Sequence, residues 1–249
     1  MEFAGQTAIV TGSARGFGRA ICRRLARGGA RVVAADINLP GAEETVKLIA
    51  QDGGRGLAVK VDVSSAASVE SLVKTVLATF DDRIDVLVNN AAIWTNVPTE
   101  ELVEAEWDRM VNVNMKGVFL CAKYIIPIMK RQKKGHIVNI ASIAVRTGGT
   151  YAGIHYVASK GGVLAMTKKL AKELGPFGIV VNGVNPGSSP TEMMQGWPEE
   201  ILDGIIRNTP LGRMCAPEDI ADTVAFLASD AARFVSGVTM DVNGGLVCD

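Results

Sequence analysis

The sequence predicts an α/β fold: a doubly wound parallel sheet of about seven strands, with helices on both faces. Three observations carry this expectation. Short β-branched apolar runs alternate with longer segments of helical periodicity along the chain. Most of those runs are apolar almost throughout, as in a parallel strand buried on both faces. A glycine-rich turn joins the first strand to the first helix. No linker, composition shift or low-complexity segment interrupts the 249 residues, so 1–249 is expected to be a single domain.

The elements follow in order. Thr7–Val10 is the first strand, and helix Gly16–Arg27 opens out of the turn behind it. Arg31–Ala35 is the second strand; it runs into Asp36, and helix Ala42–Gln51 follows. Gly56–Val61 leads through Asp62 and Val63 to helix Ala66–Phe80. Val86–Asn89 is followed by Asn90-Ala91-Ala92 and then by one long helix, Trp107–Arg131. His136–Ile140 precedes Ser142 and helix His155–Leu174. Ile179–Val184, helix Pro217–Ala228 and strand Val238–Val242 complete the alternation. The stretch before Pro217 breaks the rhythm, with Pro186, Gly187, Pro190, Gly196 and Pro198. A long insertion at the carboxyl end of a strand points to function. A substrate lid is expected at about 188–210, with Thr191–Ile206 mobile and partly helical.

Composition excludes several classes. Lys plus Arg number 26 and Asp plus Glu 26, so no net field draws the chain to nucleic acid or an anionic membrane. The basic cluster Lys130, Arg131, Lys133 and Lys134 suits a solvated helix end. Four cysteines, Cys22, Cys121, Cys215 and Cys248, are too scattered for a metal or redox motif, and His136 and His155 are the only histidines. No metal is expected. No signal peptide and no membrane-spanning run is visible, so the expected location is the cytoplasm.

The turn Thr11-Gly12-Ser13-Ala14-Arg15-Gly16-Phe17-Gly18 has the spacing G-x-x-x-G-x-G. Glycines let backbone approach a pyrophosphate, and the helix N-terminus supplies free N–H groups and positive potential. An ordinary tight turn also uses such glycines. Asp36 and Ile37 end the second strand, where a carboxylate accepts from adenosine ribose hydroxyls and repels a 2′-phosphate. NAD is therefore expected over NADP. Arg15 argues the other way, because a guanidinium can meet that phosphate. Asp62, Val63, Asn90 and Ala91 fall at neighbouring strand ends, within reach of adenine and its ribose, although Asp and Asn are also common turn residues.

Tyr156 and Lys160 lie four apart on one helix face. A free phenol has a pKa of about 10 and is a poor base at neutral pH. A nearby ammonium and an oxidised nicotinamide would lower it, and a tuned phenol can exchange a proton with an alcohol or ketone as hydride moves. Ser142, at the end of the fifth strand, can hydrogen-bond the substrate oxygen. His155 is adjacent to Tyr156 but points elsewhere on a helix, so its expected role is structural.

With these pieces in order, the chain resembles the short-chain dehydrogenase/reductase family, in its single-domain Rossmann-type branch, over essentially its full length. The matching residues are Thr11–Gly18, Asp62, Asn89-Asn90-Ala91, Asn114, Ser142, Tyr156-Val157-Ala158-Ser159-Lys160, Asn182, Pro186-Gly187 and Thr191. The resemblance implies a tetrad: Tyr156 as acid/base, Ser142 orienting the substrate, Lys160 tuning the phenol and binding the nicotinamide ribose, Asn114 holding a relay water. It also implies that Pro186, Gly187, Ser189 and Thr191 border the nicotinamide, and that the chain forms a homotetramer through its two long helices. Three departures stand out: Ala92 where the family has Gly, a longer Ser142–Tyr156 segment carrying Arg146, and Asn243 where Asp is usual.

Expected substrate contacts are Trp94, Ile143, Arg146, Tyr151, Met193, Met194 and Trp197, with Val145 beside them. Most are apolar or aromatic and the methionines are adaptable. This favours a medium-sized, apolar or aryl secondary alcohol and its ketone. Arg146 can grip a carboxylate or phosphate, or be a solvated loop charge. The alternatives are an NADPH-dependent reductase of 3-oxoacyl thioesters, a sugar or polyol dehydrogenase, and an NAD-binding regulator without turnover.

Overall fold

The computed structural model describes residues 2–149, 151–190, 194 and 196–248. Its sheet contains seven strands: β1 Thr7–Thr11, β2 Arg31–Asp36, β3 Arg55–Lys60, β4 Val86–Asn89, β5 Gly135–Ile140, β6 Ile179–Pro186 and β7 Thr239–Val242. Their order is β3-β2-β1-β4-β5-β6-β7 and every neighbouring pair is parallel. The chain winds outward from β1 to β3 and then restarts at β4 on the other side of β1. Loops leaving β1 and β4 therefore diverge, and a crevice opens over the carboxyl ends of these two strands.

Side-chain alternation along β1 assigns the two core layers. Ala8 and Val10 pack with Ile21 and Leu25 of α1 (Gly16–Arg27) and with Ile220 and Val224 of α9 (Pro217–Ala228). Ile9 faces the opposite layer, with Leu72 of α3 (Ala66–Thr79) and Leu120 and Ile125 of α5 (Gly117–Gln132). Helix α2 (Leu39–Gln51) starts three residues earlier than its periodicity suggests, because the Asn38 side chain caps Gly41 N–H at 3.2 Å and Pro40 sits in the first turn.

The expected single helix Trp107–Arg131 is not one helix. The chain forms α4 (Glu104–Val111), a widened π-type turn over Asn112–Lys116, and then α5. At the break Asn114 is fully buried, and its side chain holds the backbone of Ile93 at both N–H (2.8 Å) and C=O (2.9 Å). A widened turn of this kind marks many functional sites. Helix α7 (Ile154–Leu174) turns His155, Ser159, Val163 and Thr167 inward at four-residue spacing, with Lys160 beside them. A mostly polar inward face is the reverse of ordinary core packing. Between β5 and α7 lies the short α6 (Ala144–Thr147). In the expected lid, the described part is largely a helix, α8 (Glu199–Asn208), and one of its faces covers the crevice.

Candidate active site

A cleft of about 930 Å³ runs along the carboxyl edge of the sheet. At one end it is lined by Gly12, Arg15, Gly16, Phe17, Asp36 and Ile37. Asp62, Val63, Asn90 and Ala91 form its middle. Ser142, Ile143, Tyr156, Lys160, Pro186, Gly187 and Ser189 line the other half, where Trp94, Tyr151, Met194 and Trp197 close it. The chain thus brings most of the expected residues onto one surface. Ser13 and Gly18 lie beneath it, buried. Thr191 and Met193 lie outside the described residues.

The glycine turn is built for close approach. Gly12 has φ +67° and Gly16 φ +53°, and a Cβ on Gly12 would lie 2.6 Å from Ala91 Cα. A Cβ on Gly18 would strike the Gly12 carbonyl. Thr11 Oγ1 accepts N–H bonds from Asn90 and Ala91, each at 3.1 Å. The Asn90 amide donates to the Thr11 and Gly12 carbonyls at 3.0 and 2.9 Å. Asn90 therefore braces the turn with the side chain that was expected to reach toward adenosine. No side chain caps the N-terminus of α1, so its first N–H groups remain free for an anion.

Asp36 accepts Ala14 N–H at 2.8 Å and Asn38 N–H at 2.9 Å, which fixes its carboxylate at the cleft's end. Asp62 accepts both the N–H and the hydroxyl of Ser64, at 2.9 and 2.6 Å. These residues fit a dinucleotide. A further sign is the Ser189 hydroxyl, which lines the cleft, is buried and has no hydrogen-bond partner among the described residues. A polar ligand seated there would satisfy it.

In the half lined by Ser142 and Tyr156, Lys160 is buried and its Nζ donates to the Ile140 carbonyl at 2.8 Å. It lies 5.9 Å from the centre of the Tyr156 ring. Burial pulls the Lys160 pKa down to about 8. Burial also raises the Tyr156 phenol above its ordinary value, while a hydrogen bond with Ser142 acts the other way. In the protein alone desolvation outweighs the Ser142 hydrogen bond, and the phenol holds its proton at neutral pH; the lowered value was expected with an oxidised nicotinamide beside it. Ser142 Oγ also accepts Ala144 N–H at 3.1 Å, which sets the serine's direction.

One further expectation needs correction. Arg146 of α6 does not line the cleft; its guanidinium lies 3.3 Å from the Asp241 carboxylate of β7. The Asn114 amide is engaged by Ile93, so its side chain positions that segment. Ala92 is accommodated because it does not need the positive φ that would demand Gly. His155 is fully buried and bonds Thr95 Oγ1 at 2.8 Å, which in turn donates to Glu106 at 2.6 Å, in keeping with a structural role. Several cleft residues escaped sequence reasoning: Arg109 of α4, and Glu200, Ile201, Gly204, Ile205 and Asn208 of α8. The α8 set recurs at helical spacing, a signal present in the sequence; Arg109 carries no such mark. No metal-binding cluster occurs among the described residues, and no described helix is long and apolar enough to cross a membrane.

The chain is similar to known proteins along nearly its whole length. A family model described as enoyl-(acyl carrier protein) reductase matches residues 12–247. A 3-oxoacyl-[acyl-carrier-protein] reductase FabG of Staphylococcus aureus is 38% identical over 245 residues, covering 97% of this chain and 98% of that protein. A 3-oxoacyl-[acyl-carrier-protein] reductase of Synechocystis sp. is 40% identical over 244 residues, covering 97% of each. Among solved structures, a protein of Sinorhizobium meliloti 1021 provisionally assigned as a short-chain alcohol dehydrogenase superposes with a TM-score of 0.94 at 34% identity, covering 98% of this chain and 97% of that one. The chain is a member of the short-chain dehydrogenase/reductase family of oxidoreductases.

Proposed function

We propose that the chain interconverts a ketone and a secondary alcohol, with Tyr156 as the acid/base. The observation that carries this reading is the set Ser142, Tyr156 and buried Lys160 at one end of a cleft whose other end suits a dinucleotide. A bound nicotinamide dinucleotide supplies or accepts the hydride. Ser142 and Tyr156 orient the substrate oxygen, and the protonated phenol gives its proton to that oxygen during reduction. Lys160, largely charged below its pKa of about 8, favours return of a proton to the site. Asn114 acts as a positioning residue through Ile93.

The names of the curated relatives favour a 3-oxoacyl thioester as substrate over a simple secondary alcohol. The aromatic lining of the cleft supports a second reading, an apolar or aryl ketone. Asp36 supports NAD(H) over NADP(H), since a 2′-phosphate would approach a fixed carboxylate. A homotetramer in the cytoplasm completes the proposal, and the exposed Phe119 of α5 is the kind of residue such an interface covers. The deciding experiment follows nicotinamide absorbance with NADH and NADPH against acetoacetyl thioesters and aryl ketones. Oxidation of neither cofactor with any carbonyl, despite cofactor binding, would instead favour a dinucleotide-binding regulator.

A further inference from the structure

Four of the six Trp and Tyr residues, Trp94, Tyr151, Tyr156 and Trp197, line this one cleft. Three of them come from loops behind three different strands, β4, β5 and β6, and meet. The Trp94 and Trp197 ring centres are 5.3 Å apart at 37°, and those of Tyr151 and Trp197 are 4.7 Å apart at 49°. These are favourable tilted contacts, so the wall is formed by the chain itself. Trp94 is held from both sides. Its predecessor Ile93 is gripped by Asn114, and its successor Thr95 is bonded to His155 and Glu106 and accepts Gly153 N–H at 3.2 Å. One polar atom in the wall is unused: Trp197 Nε1 is buried and has no acceptor among the described residues.

We infer that Trp94, Tyr151 and Trp197 form a recognition wall for a flat ring next to the reacting carbonyl, and that the Trp197 indole N–H donates to an acceptor atom in that ring. The inference rests on the proposed carbonyl reduction at the same cleft. A rigid ring gains stacking over its whole face without first being ordered, whereas a flexible acyl chain must lose rotamer freedom to lie against the wall. A buried donor without a partner is disfavoured, so a ligand that supplies an acceptor is selected over an isostere that does not. During turnover Tyr156 would give a proton to the carbonyl oxygen, while a bound reduced nicotinamide dinucleotide would supply the hydride for the carbon and leave oxidised. The wall takes no part in that exchange; it decides which ketone is held.

The test compares kcat/KM for three ketones with saturating NADH: tetralone, its ring-oxygen isostere chromanone, and straight-chain decanone. The wall predicts tetralone at least ten-fold above decanone, and chromanone above tetralone. Trp197→Phe keeps the stacking and removes the donor, so it should bring chromanone down to tetralone while leaving the tetralone-to-decanone ratio in place. Trp94→Ala should lower the ring ketones about ten-fold with the KM for NADH unchanged. Equal values for ring and chain in the wild type, or a chromanone advantage that survives Trp197→Phe, would overturn the inference. Binding is measured separately in Trp107→Phe protein, whose remaining tryptophans are the two in the wall. If no ketone turns over, the reductase reading fails, and quenching then judges the wall: saturable quenching by tetralone supports it and its absence overturns it.

Discussion

Replacing Lys160 by Met should make the protein more stable at neutral pH while abolishing turnover. The Lys160 pKa falls from 10.5 to about 8 on folding, because the ammonium is buried with one carbonyl partner, Ile140. A shift of this size means that the folded state carries a penalty of about 3 kcal/mol at pH 7 for holding the charge. Methionine fills a similar volume without that penalty but leaves the Ile140 carbonyl without its donor, which costs about 1–2 kcal/mol. The net expectation is a gain of about 1–2 kcal/mol at pH 7. Between about pH 8 and 10.5 the unfolded chain binds more protons at this lysine than the folded one, so wild-type stability rises across that window and the advantage of methionine shrinks. Near pH 10 the penalty has fallen to about 0.8 kcal/mol, less than the hydrogen bond that a neutral Lys160 keeps, so the order should reverse. Urea unfolding of both proteins at pH 7 and pH 10 measures the two differences. A methionine variant that is less stable at pH 7, or a difference that does not change with pH, would refute the account of Lys160.

Other outcomes follow from the same structure. Asp36→Ala should raise affinity for NADPH about ten-fold or more relative to NADH, by removing a fixed carboxylate from the cleft's end; calorimetric titration with both cofactors checks it, and an unchanged ratio would count against the role of Asp36. Burial holds the His136 pKa below its ordinary value of 6.5. The unfolded chain therefore takes up more protons there, and this contribution to stability should be lost as pH falls below about 6.5 but not in His136→Gln, as thermal melts across pH 5 to 7.5 would show. Thr95→Val removes the hydroxyl that joins His155 to Glu106 and should cost about 1–2 kcal/mol, raising KM for ketones more than it lowers kcat; an unaltered KM would mean that Thr95 does not hold Trp94 in place.

Elements with strong local signals were legible in the sequence. Helices Gly16–Arg27 and Pro217–Ala228 fall where their periodicity places them, and the apolar strands Val86–Asn89 and His136–Ile140 mark the sheet's interior. The residues proposed to react, Ser142, Tyr156 and Lys160, stood out because their spacing meets a strand end and a helix face together. What stayed hidden depends on tertiary partners. The break at Asn114 is set by the backbone of Ile93, far away in sequence. The buried chain of amides from Asn89 through Asn139 to Thr167 joins two strands and a helix that only the fold brings together. Arg146 was drawn to Asp241, nearly a hundred residues later, so its loop position pointed the wrong way. The phenol's pKa likewise depends on burial, which no spacing between Tyr156 and Lys160 reveals.

The central claim is that Tyr156 transfers the proton that accompanies hydride transfer. Its most direct test is single-turnover oxidation of bound NADH by a ketone, followed by nicotinamide absorbance in wild type and in Tyr156→Phe, with NADH affinity measured in parallel. The account predicts a loss of about 100-fold or more in the variant, in line with removal of a general acid, with NADH binding retained. Turnover at the wild-type rate in Tyr156→Phe would contradict it.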